Sequence, residues 1–192
     1  MSAGRQRGNA ADGGIAGGGS IGAAGARSAA RRGLRVVVCD PGPLPGAASP
    51  ASAGMLAAQI EPDDDAMLAL AVRARDLYGP LSAELRETTG IDIGLWRDGV
   101  ASLAFTDAEA ERLRDWVAEQ RQAGLRCDWL EATDVAERFP AAARCVGALF
   151  APEDGAVDAP ALTRALRADA KRLGVRTFTT RVNRLNTILG RA

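Results

Sequence analysis

Three glycines and one acid near the start of the chain have the residue types and spacing of a dinucleotide site. Gly17, Gly19 and Gly22 match the pattern G-x-G-x-x-G. Asp40 follows at about the 20-residue spacing that the motif requires. In this motif the glycines permit a tight turn and let the backbone approach a pyrophosphate, which lies at a helix N-terminus. Because the acid can accept hydrogen bonds from a ribose, the pattern predicts nucleotide binding.

The residues around the motif have the sequence of a βαβ unit. Residues 23–32 favour a helix, Gly33 suits its C-terminal end, and residues 34–39, apart from Arg35, form the apolar run of a buried parallel strand. The first strand, expected at residues 12–16, is weaker because DGGIA contains two glycines. The alternative is a flexible Gly/Ala-rich terminus, but the strand and the acid favour the nucleotide site.

The charge balance and the absence of histidine exclude several functions. Lys and Arg together number 24, as do Asp and Glu, so we expect no nucleic acid partner and no anionic membrane partner. The chain has no histidine, which excludes His-dependent catalytic triads and His-ligated metals within it. We expect no metal site, and we interpret the acidic run at Asp63, Asp64 and Asp65 as a helix N-terminus.

Cysteine spacing and hydrophobicity predict a cytoplasmic protein. Cys39, Cys127 and Cys145 lie far apart and form no CxxC pair, as expected in a reducing compartment. No stretch approaches 18 apolar residues, so we expect no membrane-spanning helix. Residues 1–11 are predicted to be a disordered leader.

Hydrophobic periodicity and capping signals indicate further elements after Asp40. In chain order we predict a helix from Asp63 to Arg86, a β-hairpin over 91–105, a helix from Thr106 to Gln122, a strand at 129–130, a helix from Thr133 to Pro140, a strand over 146–151, a helix from Asp158 to Leu173 and a strand over 177–182.

Beyond these patterns, the chain resembles the D-amino-acid-oxidase superfamily of FAD enzymes, and within it the glycine oxidase type. The pattern GGGSIG…D followed by SPASAGMLAAQIE carries the resemblance. GIDIGLWRDGVASLAFTDAEAERL resembles that family's substrate-domain segment, and GAVDAPALTRALRADAKRLGV resembles its return helix. The resemblance implies an α/β fold, in which a Rossmann-like FAD-binding βαβ domain is interrupted by an antiparallel-sheet substrate-domain insertion.

The resemblance also implies a domain organisation. The FAD-binding domain would begin at residues 12–88, the partial substrate domain would occupy 89–156, and residues 157–192 would return to the FAD domain. We expect the chain to be truncated at its C-terminal side, because members of the family are considerably longer.

The resemblance implies a cofactor-binding set position by position. Ser20 and Ile21 would lie at the pyrophosphate turn, Asp40 at the ribose, and the backbone of Val182 at the adenine. Met55 would border the substrate pocket. The full predicted FAD-binding set is Gly17, Gly19, Ser20, Ile21, Gly22, Asp40, Pro41, Ala48, Ser49, Ala53, Gly54, Met55 and Val182.

The activity that the resemblance implies is oxidative deamination of glycine or a related small amine, serving thiamine thiazole synthesis. A hydride would pass from the substrate Cα to flavin N5, and the imine would be hydrolysed to glyoxylate and ammonia. Oxygen would then reoxidise the flavin and give peroxide. The partners would be the amine, oxygen and, for the full-length protein, further copies of itself.

No catalytic residue can be assigned, because the family's substrate-anchoring arginine and tyrosines lie beyond the matching part. We therefore expect this chain alone to be inactive. Two alternatives stay open, namely a fragment of an NAD(P)-linked dehydrogenase and a non-catalytic nucleotide-binding remnant. The uncharged loop after Asp40 and the expected hairpin argue against the dehydrogenase.

Overall fold

The computed structural model describes residues 11–42, 47–61 and 64–185. The chain divides into two compact units, which we describe separately. The first contains the described residues of Met1–Ser52, Ala83–Ile93 and Asp158–Ala192, and the second contains those of Ala53–Ser82 and Gly94–Val157.

The described residues form strands and helices in the following order. The elements are β1 (Gly13–Ala16), α1 (Ser20–Arg31), β2 (Val36–Asp40), α2 (Ala48–Ala51), β3 (Met55–Leu56), α3 (Asp65–Asp76), α4 (Tyr78–Thr89), β4 (Val100–Ala104), α5 (Asp107–Gln122), β5 (Asp128–Glu131), α6 (Ala132–Arg138), β6 (Gly147–Ala151), β7 (Gly155–Ala156), α7 (Ala159–Arg172) and β8 (Arg176–Thr179).

The first unit contains a parallel sheet in the order β1-β2-β8. Despite its glycines, β1 forms as expected, pairing Ile15 with Val38 in the centre of the ladder. Val36 and Val38 are buried in β2, in a core that includes Ala26 of α1 and Ala170 of α7. The unit is therefore the α/β part of the predicted fold, and it holds the glycine motif.

A buried ion pair joins α1 to α7 in this unit. Arg27 Nε lies 2.6 Å from Asp169 Oδ2, and Arg27 Nη2 lies 2.8 Å from Glu84 Oε2. Arg172 also donates to Asp169 Oδ1 at 2.8 Å. Asp169 is fully buried, so these charge-assisted bonds offset the cost of taking its carboxylate out of water.

The second unit contains antiparallel sheets. One has the order β4-β6-β5, and the other pairs β3 with β7. All five residues of β6 are buried, as expected for a central strand covered by a helix. Leu113 and Val117 of α5 pack in one core with Leu149 of β6. This sheet agrees with the predicted antiparallel insertion.

The predicted hairpin over 91–105 is wrong. Only residues 100–104 form a strand, which pairs with β6, while Trp96 makes an isolated bridge to Ala156. Gly94 and Gly99 adopt positive φ values of 60° and 95°. Glycines with positive φ values turn the chain, so the apolar residues before and after this turn do not pair with each other. The strand β4 pairs with the buried strand β6 instead.

The single helix predicted from Asp63 to Arg86 is also wrong in part. It is two helices, α3 and α4, which separate at Leu77. Pro80 explains the break, because proline has no N–H to donate to the carbonyl of Asp76 and its ring would collide with that carbonyl. Asp64 caps α3 through a 2.8 Å bond from Met67 N, and Asp63 lies outside the described residues.

Other element boundaries differ by a few residues. Thr133 is not the cap of α6, because β5 continues directly into the helix and Glu131 holds the N-cap position. β8 ends at Thr179, so Val182 lies beyond the strand and not within it. The reason is that β2, its partner, ends at Asp40, which leaves residues 180–182 no ladder to continue. Of the expected leader at residues 1–11, residues 1–10 lie outside the described part.

The compact units do not coincide with the predicted domain boundaries. Ala53–Ser82, which we assigned to the FAD-binding part, falls in the second unit, and residues 89–93, which we assigned to the substrate part, fall in the first. The assignment of the units to FAD binding and substrate binding stays a prediction.

Candidate nucleotide site

The turn between β1 and α1 requires glycine at positions 17 and 22, whereas a side chain at position 19 would displace the Ser49 hydroxyl. Gly17 has a φ of 99°, and its N–H donates to Cys39 O at 2.8 Å. A Cβ on Gly22 would overlap the carbonyl oxygen of Gly17. A Cβ on Gly19 would lie 2.7 Å from Ser49 Oγ. The motif therefore has the tight turn that the sequence predicted.

The N-terminus of α1 is suited to an anion. Gly19 is the N-cap, and the first turn contains no acidic residue that would offset the positive end of the helix dipole. Ser49 Oγ accepts from Ser20 N at 3.0 Å and lies 3.3 Å from Ser20 Oγ. Ile21 is 88% exposed in the same turn. Two hydroxyls and a helix N-terminus thus meet where a pyrophosphate is expected.

Asp40 is held firmly at the end of β2. Its Oδ2 accepts from Gly18 N at 2.5 Å, and its Oδ1 accepts from Gly42 N at 2.8 Å. Burial alone would raise the pKa of Asp40, but these two hydrogen bonds and the charge of Arg167 lower it below its usual value. The carboxylate therefore stays ionised and can still accept hydrogen bonds from a ribose.

A cavity of about 410 Å³ adjoins Asp40. Its lining includes the polar or charged residues Asp40, Arg167, Lys171, Thr177 and Thr179, together with small apolar residues of α1, α7 and β2. A pocket with an apolar floor and a few polar groups is typical of small-molecule sites. Its position beside the ribose acid suits the adenosine half of a dinucleotide.

Arg167 is the residue that sequence reasoning missed in this unit. It lies on α7, and its Nε donates to Gly18 O at 2.5 Å. Its Nη2 lies 3.6 Å from Asp40 Oδ2. No sequence signal links Arg167 to Gly18 and Asp40, because the three residues are distant along the chain and only the packing of α7 beside the motif brings them together.

Three predicted residues, Ala53, Gly54 and Met55, lie in the second unit. Gly54 O accepts from Val157 N at 2.9 Å, and Met55 pairs with Ala156 in the short β3-β7 ladder. Met55 is 50% exposed and lines a cavity of about 430 Å³ with Met67 and other residues of α3. An exposed methionine beside a cavity agrees with a pocket border, a role that stays a prediction.

A buried polar cluster holds the segment that follows Met55. Gln59 N donates to Asp154 Oδ2 at 2.9 Å, and Arg75 Nη1 donates to Asp154 Oδ1 at 2.9 Å and to Gln59 Oε1 at 2.6 Å. Gln59 Nε2 donates to Gln120 Oε1, and Gln120 Nε2 donates to Gln59 O, both at 2.8 Å. Sequence reasoning missed this cluster, since nothing in the sequence links its members.

The remaining predicted residues contribute less to the observed geometry. Pro41 is exposed, Ala48 begins the short helix α2, and Val182 is 39% exposed beyond β8. The structure thus brings together the glycines, Ser20, Asp40 and Ser49 in one unit. The roles predicted for Pro41, Ala48 and Val182 stay predictions.

Other chemistries find no support in the described residues. Residues 11–42, 47–61 and 64–185 contain no group of three metal-ligating side chains. Burial raises the pKa of the Cys127 thiol to about 11, so it is not a nucleophile at neutral pH. In the same ranges no helix combines the length and the hydrophobicity needed to cross a membrane.

Comparison with known proteins points to one family. Residues 14–191 match the family model described as FAD dependent oxidoreductase. The chain is 41% identical to a glycine oxidase of Geobacillus kaustophilus over 163 residues, which are 83% of this chain and 43% of that protein. It is 35% identical to a bifunctional protein ThiO/ThiG of Trichormus variabilis over 84% of this chain and 24% of that protein.

A solved structure agrees with the sequence comparison. The crystal structure of glycine oxidase from Geobacillus kaustophilus matches with a TM-score of 0.81 and 40% identity, covering 86% of this chain and 45% of that one. The chain thus spans less than half the length of the relatives that it matches. The binding of the adenosine diphosphate part of FAD by the glycine turn and Asp40 stays a prediction.

Proposed function

Because the chain belongs to the family of FAD-dependent oxidoreductases, we propose that this protein takes part in the oxidation of glycine or a related small amine. The observation that carries the proposal is the tight glycine turn with its ordered acid, in a chain 41% identical to a glycine oxidase. In the overall reaction, glycine, water and oxygen give glyoxylate, ammonia and hydrogen peroxide. The similarity to a ThiO/ThiG protein supports a role in thiamine thiazole synthesis.

The residues of the first unit would hold the cofactor. The N-terminus of α1, with Ser20 and Ser49, would bind the pyrophosphate, and Asp40 would accept hydrogen bonds from the ribose. Bound FAD supplies the redox chemistry, in which the substrate Cα loses a hydride and oxygen is reduced. The chain itself needs no histidine for such a reaction, because binding and orientation are its main contributions.

In the second unit, Met55 would form one border of the substrate pocket. The cluster of Gln59, Arg75 and Asp154 would fix the backbone that carries Met55. No residue of the chain is assigned to anchor the substrate carboxylate. We therefore propose that the chain binds the cofactor and that turnover needs residues that it does not contain.

The test is the visible spectrum of the chain after incubation with FAD and desalting. Retained flavin bands, followed by their bleaching with glycine under anaerobic conditions, would support oxidation by the chain itself. Retained bands that no amine bleaches would support cofactor binding without turnover, as proposed. A colourless protein that binds NADH instead would favour the NAD(P)-linked alternative and contradict the proposal.

A further inference from the structure

Arg167 connects the return helix α7 to the glycine turn. Its Nε donates to the carbonyl oxygen of Gly18 at 2.5 Å, and its Nη2 lies 3.6 Å from Asp40 Oδ2. Asp40 Oδ2 in turn accepts from Gly18 N at 2.5 Å. The backbone of Gly18 is therefore held at its N–H by the acid and at its carbonyl by the guanidinium.

The side chains of Asp40 and Arg167 both lie close to the Cα of Gly18. A Cβ there would lie 3.1 Å from Asp40 Oδ2 and 3.3 Å from Arg167 Nη2. The carboxylate is fixed at both oxygens, because Gly42 N donates to Oδ1 at 2.8 Å. Since a carboxylate offers about four acceptor sites, Asp40 keeps the capacity to accept ribose hydroxyls in one fixed orientation.

The ion pair itself adds little to stability. The side chain of Arg167 is 51% exposed, and pairs between exposed charges contribute about 0–1 kcal/mol. The buried pair of Arg27 and Asp169 already joins α7 to α1. The contact of Arg167 is therefore better explained by the cavity that it lines together with Gly18 and Asp40.

We propose that Arg167 is a positioning residue of the nucleotide site, which orients Asp40 and Gly18 so that the carboxylate accepts from the ribose 2′-hydroxyl. This inference rests on the proposed function only in that the ligand is a dinucleotide with a free ribose diol. ADP carries that part of FAD without the flavin, so it serves as the probe.

The experiment compares the affinity of the chain for ADP and for 2′-deoxy-ADP by titration calorimetry. We expect the unsubstituted chain to bind ADP about tenfold more tightly, as one hydrogen bond to a charged group allows. In Arg167→Ala the preference should fall to about twofold or less, because the Gly18 carbonyl and Asp40 Oδ2 lose the guanidinium, so Gly18 and the carboxylate bonded to it can shift together. Arg167→Lys keeps the charge but not the planar fork, so an intermediate preference is expected.

A matched control separates positioning from charge and folding. Arg164 is exposed on the same helix, so Arg164→Ala removes the same charge and should leave the preference unchanged. If Arg167→Ala weakens both ligands equally, or keeps the full preference, the inference is wrong. A chain that binds ADP with the expected preference but not FAD would overturn the proposed function alone. A chain that binds neither nucleotide would overturn both.

Discussion

At the scale of single residues, the site depends on groups that are restrained by close backbone contacts or by hydrogen bonds. Gly22 meets the carbonyl of Gly17, and Asp40 is hydrogen-bonded at both oxygens. Substitutions at these positions should therefore act on binding through geometry, whereas nearby residues of the same type should be tolerant.

Gly22→Ala should abolish nucleotide binding, because the added Cβ would force the turn open. Gly25→Ala is the matched control on the same helix, where a Cβ would meet only Ile15 Cδ1, at 3.7 Å. We expect Gly25→Ala to stabilise the chain by about 0.5–1 kcal/mol, since alanine loses less entropy in a helix. Calorimetric titration with ADP and urea unfolding of both variants provide the measurements. Normal ADP affinity in Gly22→Ala would contradict the described turn.

Asp40→Asn should lower FAD affinity about tenfold or more, because the amide cannot accept hydrogen bonds with both of its terminal atoms. Asp115→Asn, at an exposed position of α5, should have no effect. Since hydrogen bonds from Gly18 and Gly42 hold the pKa of Asp40 below the usual value of an aspartate, the affinity should not change between pH 8 and pH 5. Quenching of FAD fluorescence measures the affinity of each variant and its dependence on pH. A loss of affinity on going from pH 8 to pH 5 would argue against an ionised Asp40.

At the scale of elements, capping signals predicted the helix ends better than periodicity predicted the strands. Asp158 accepts from Ala161 N at 2.7 Å, and Thr106 and Glu109 form the expected capping box of α5. These motifs depend on neighbours within four residues. A strand depends on its partner, which the local sequence does not contain.

Thr106→Ala should destabilise the chain by about 1 kcal/mol, the usual cost of losing an N-cap hydroxyl. The reason is that Glu109 N, which donates to Thr106 Oγ1 at 3.2 Å, would lose its acceptor. Thr106→Ser retains the hydroxyl, and its free energy of unfolding should lie within a few tenths of a kcal/mol of the parent's. Urea unfolding measured by circular dichroism distinguishes the variants. Equal midpoints for the parent and both variants would show that the cap contributes nothing.

The sequence therefore predicted the glycine turn, β1, α1, β2 and the return helix α7, because each has a local signature. It did not predict the pairing of β4 with β6 or the bridge from Trp96 to Ala156, which depend on residues about 50 positions apart. Arg167 and the Gln59 cluster were missed for the same physical reason. Polar contacts between distant segments leave no periodic pattern in a sequence.

At the scale of the whole molecule, charge is balanced locally as well as in total. The net charge is zero, and the buried acids of each unit have arginine partners, namely Arg27 for Asp169 and Arg75 for Asp154. The unfolded chain keeps no such pairs. The free energy of unfolding should therefore vary with pH in the acid range, where the carboxyl groups of these pairs titrate.

Asp169→Asn should lower the free energy of unfolding at pH 7 by about 2 kcal/mol, because Arg27 and Arg172 lose a charged acceptor. Although burial alone would raise the pKa of Asp169, the hydrogen bonds from Arg27 and Arg172 lower it below the usual value of an aspartate. A carboxyl whose pKa is lower in the folded state than in the unfolded state stabilises the fold at pH values above its unfolded-state pKa. This stabilisation is lost as the pH falls through the folded-state pKa. The difference in free energy of unfolding between parent and variant should thus shrink as the pH falls below about 3.9, the usual pKa of an aspartate in an unfolded chain.

Urea unfolding at pH 7 and at pH 3 measures this difference. The exposed Asp98→Asn variant should match the parent at both values. A difference that stays constant down to pH 3 would show that Asp169 does not titrate with folding.

The hydrogen bonds made by the backbone and side chain of Gln59 have a consequence for the timescale on which the second unit opens. Its amide proton is buried and bonded to the Asp154 carboxylate, while its own carbonyl and side chain bind Gln120 and Arg75. Exchange of that proton with deuterium requires the bonds around it to break together. The amide should therefore be among the slowest to exchange in the unit, and its rate would report the cooperative opening of the segment that carries Met55.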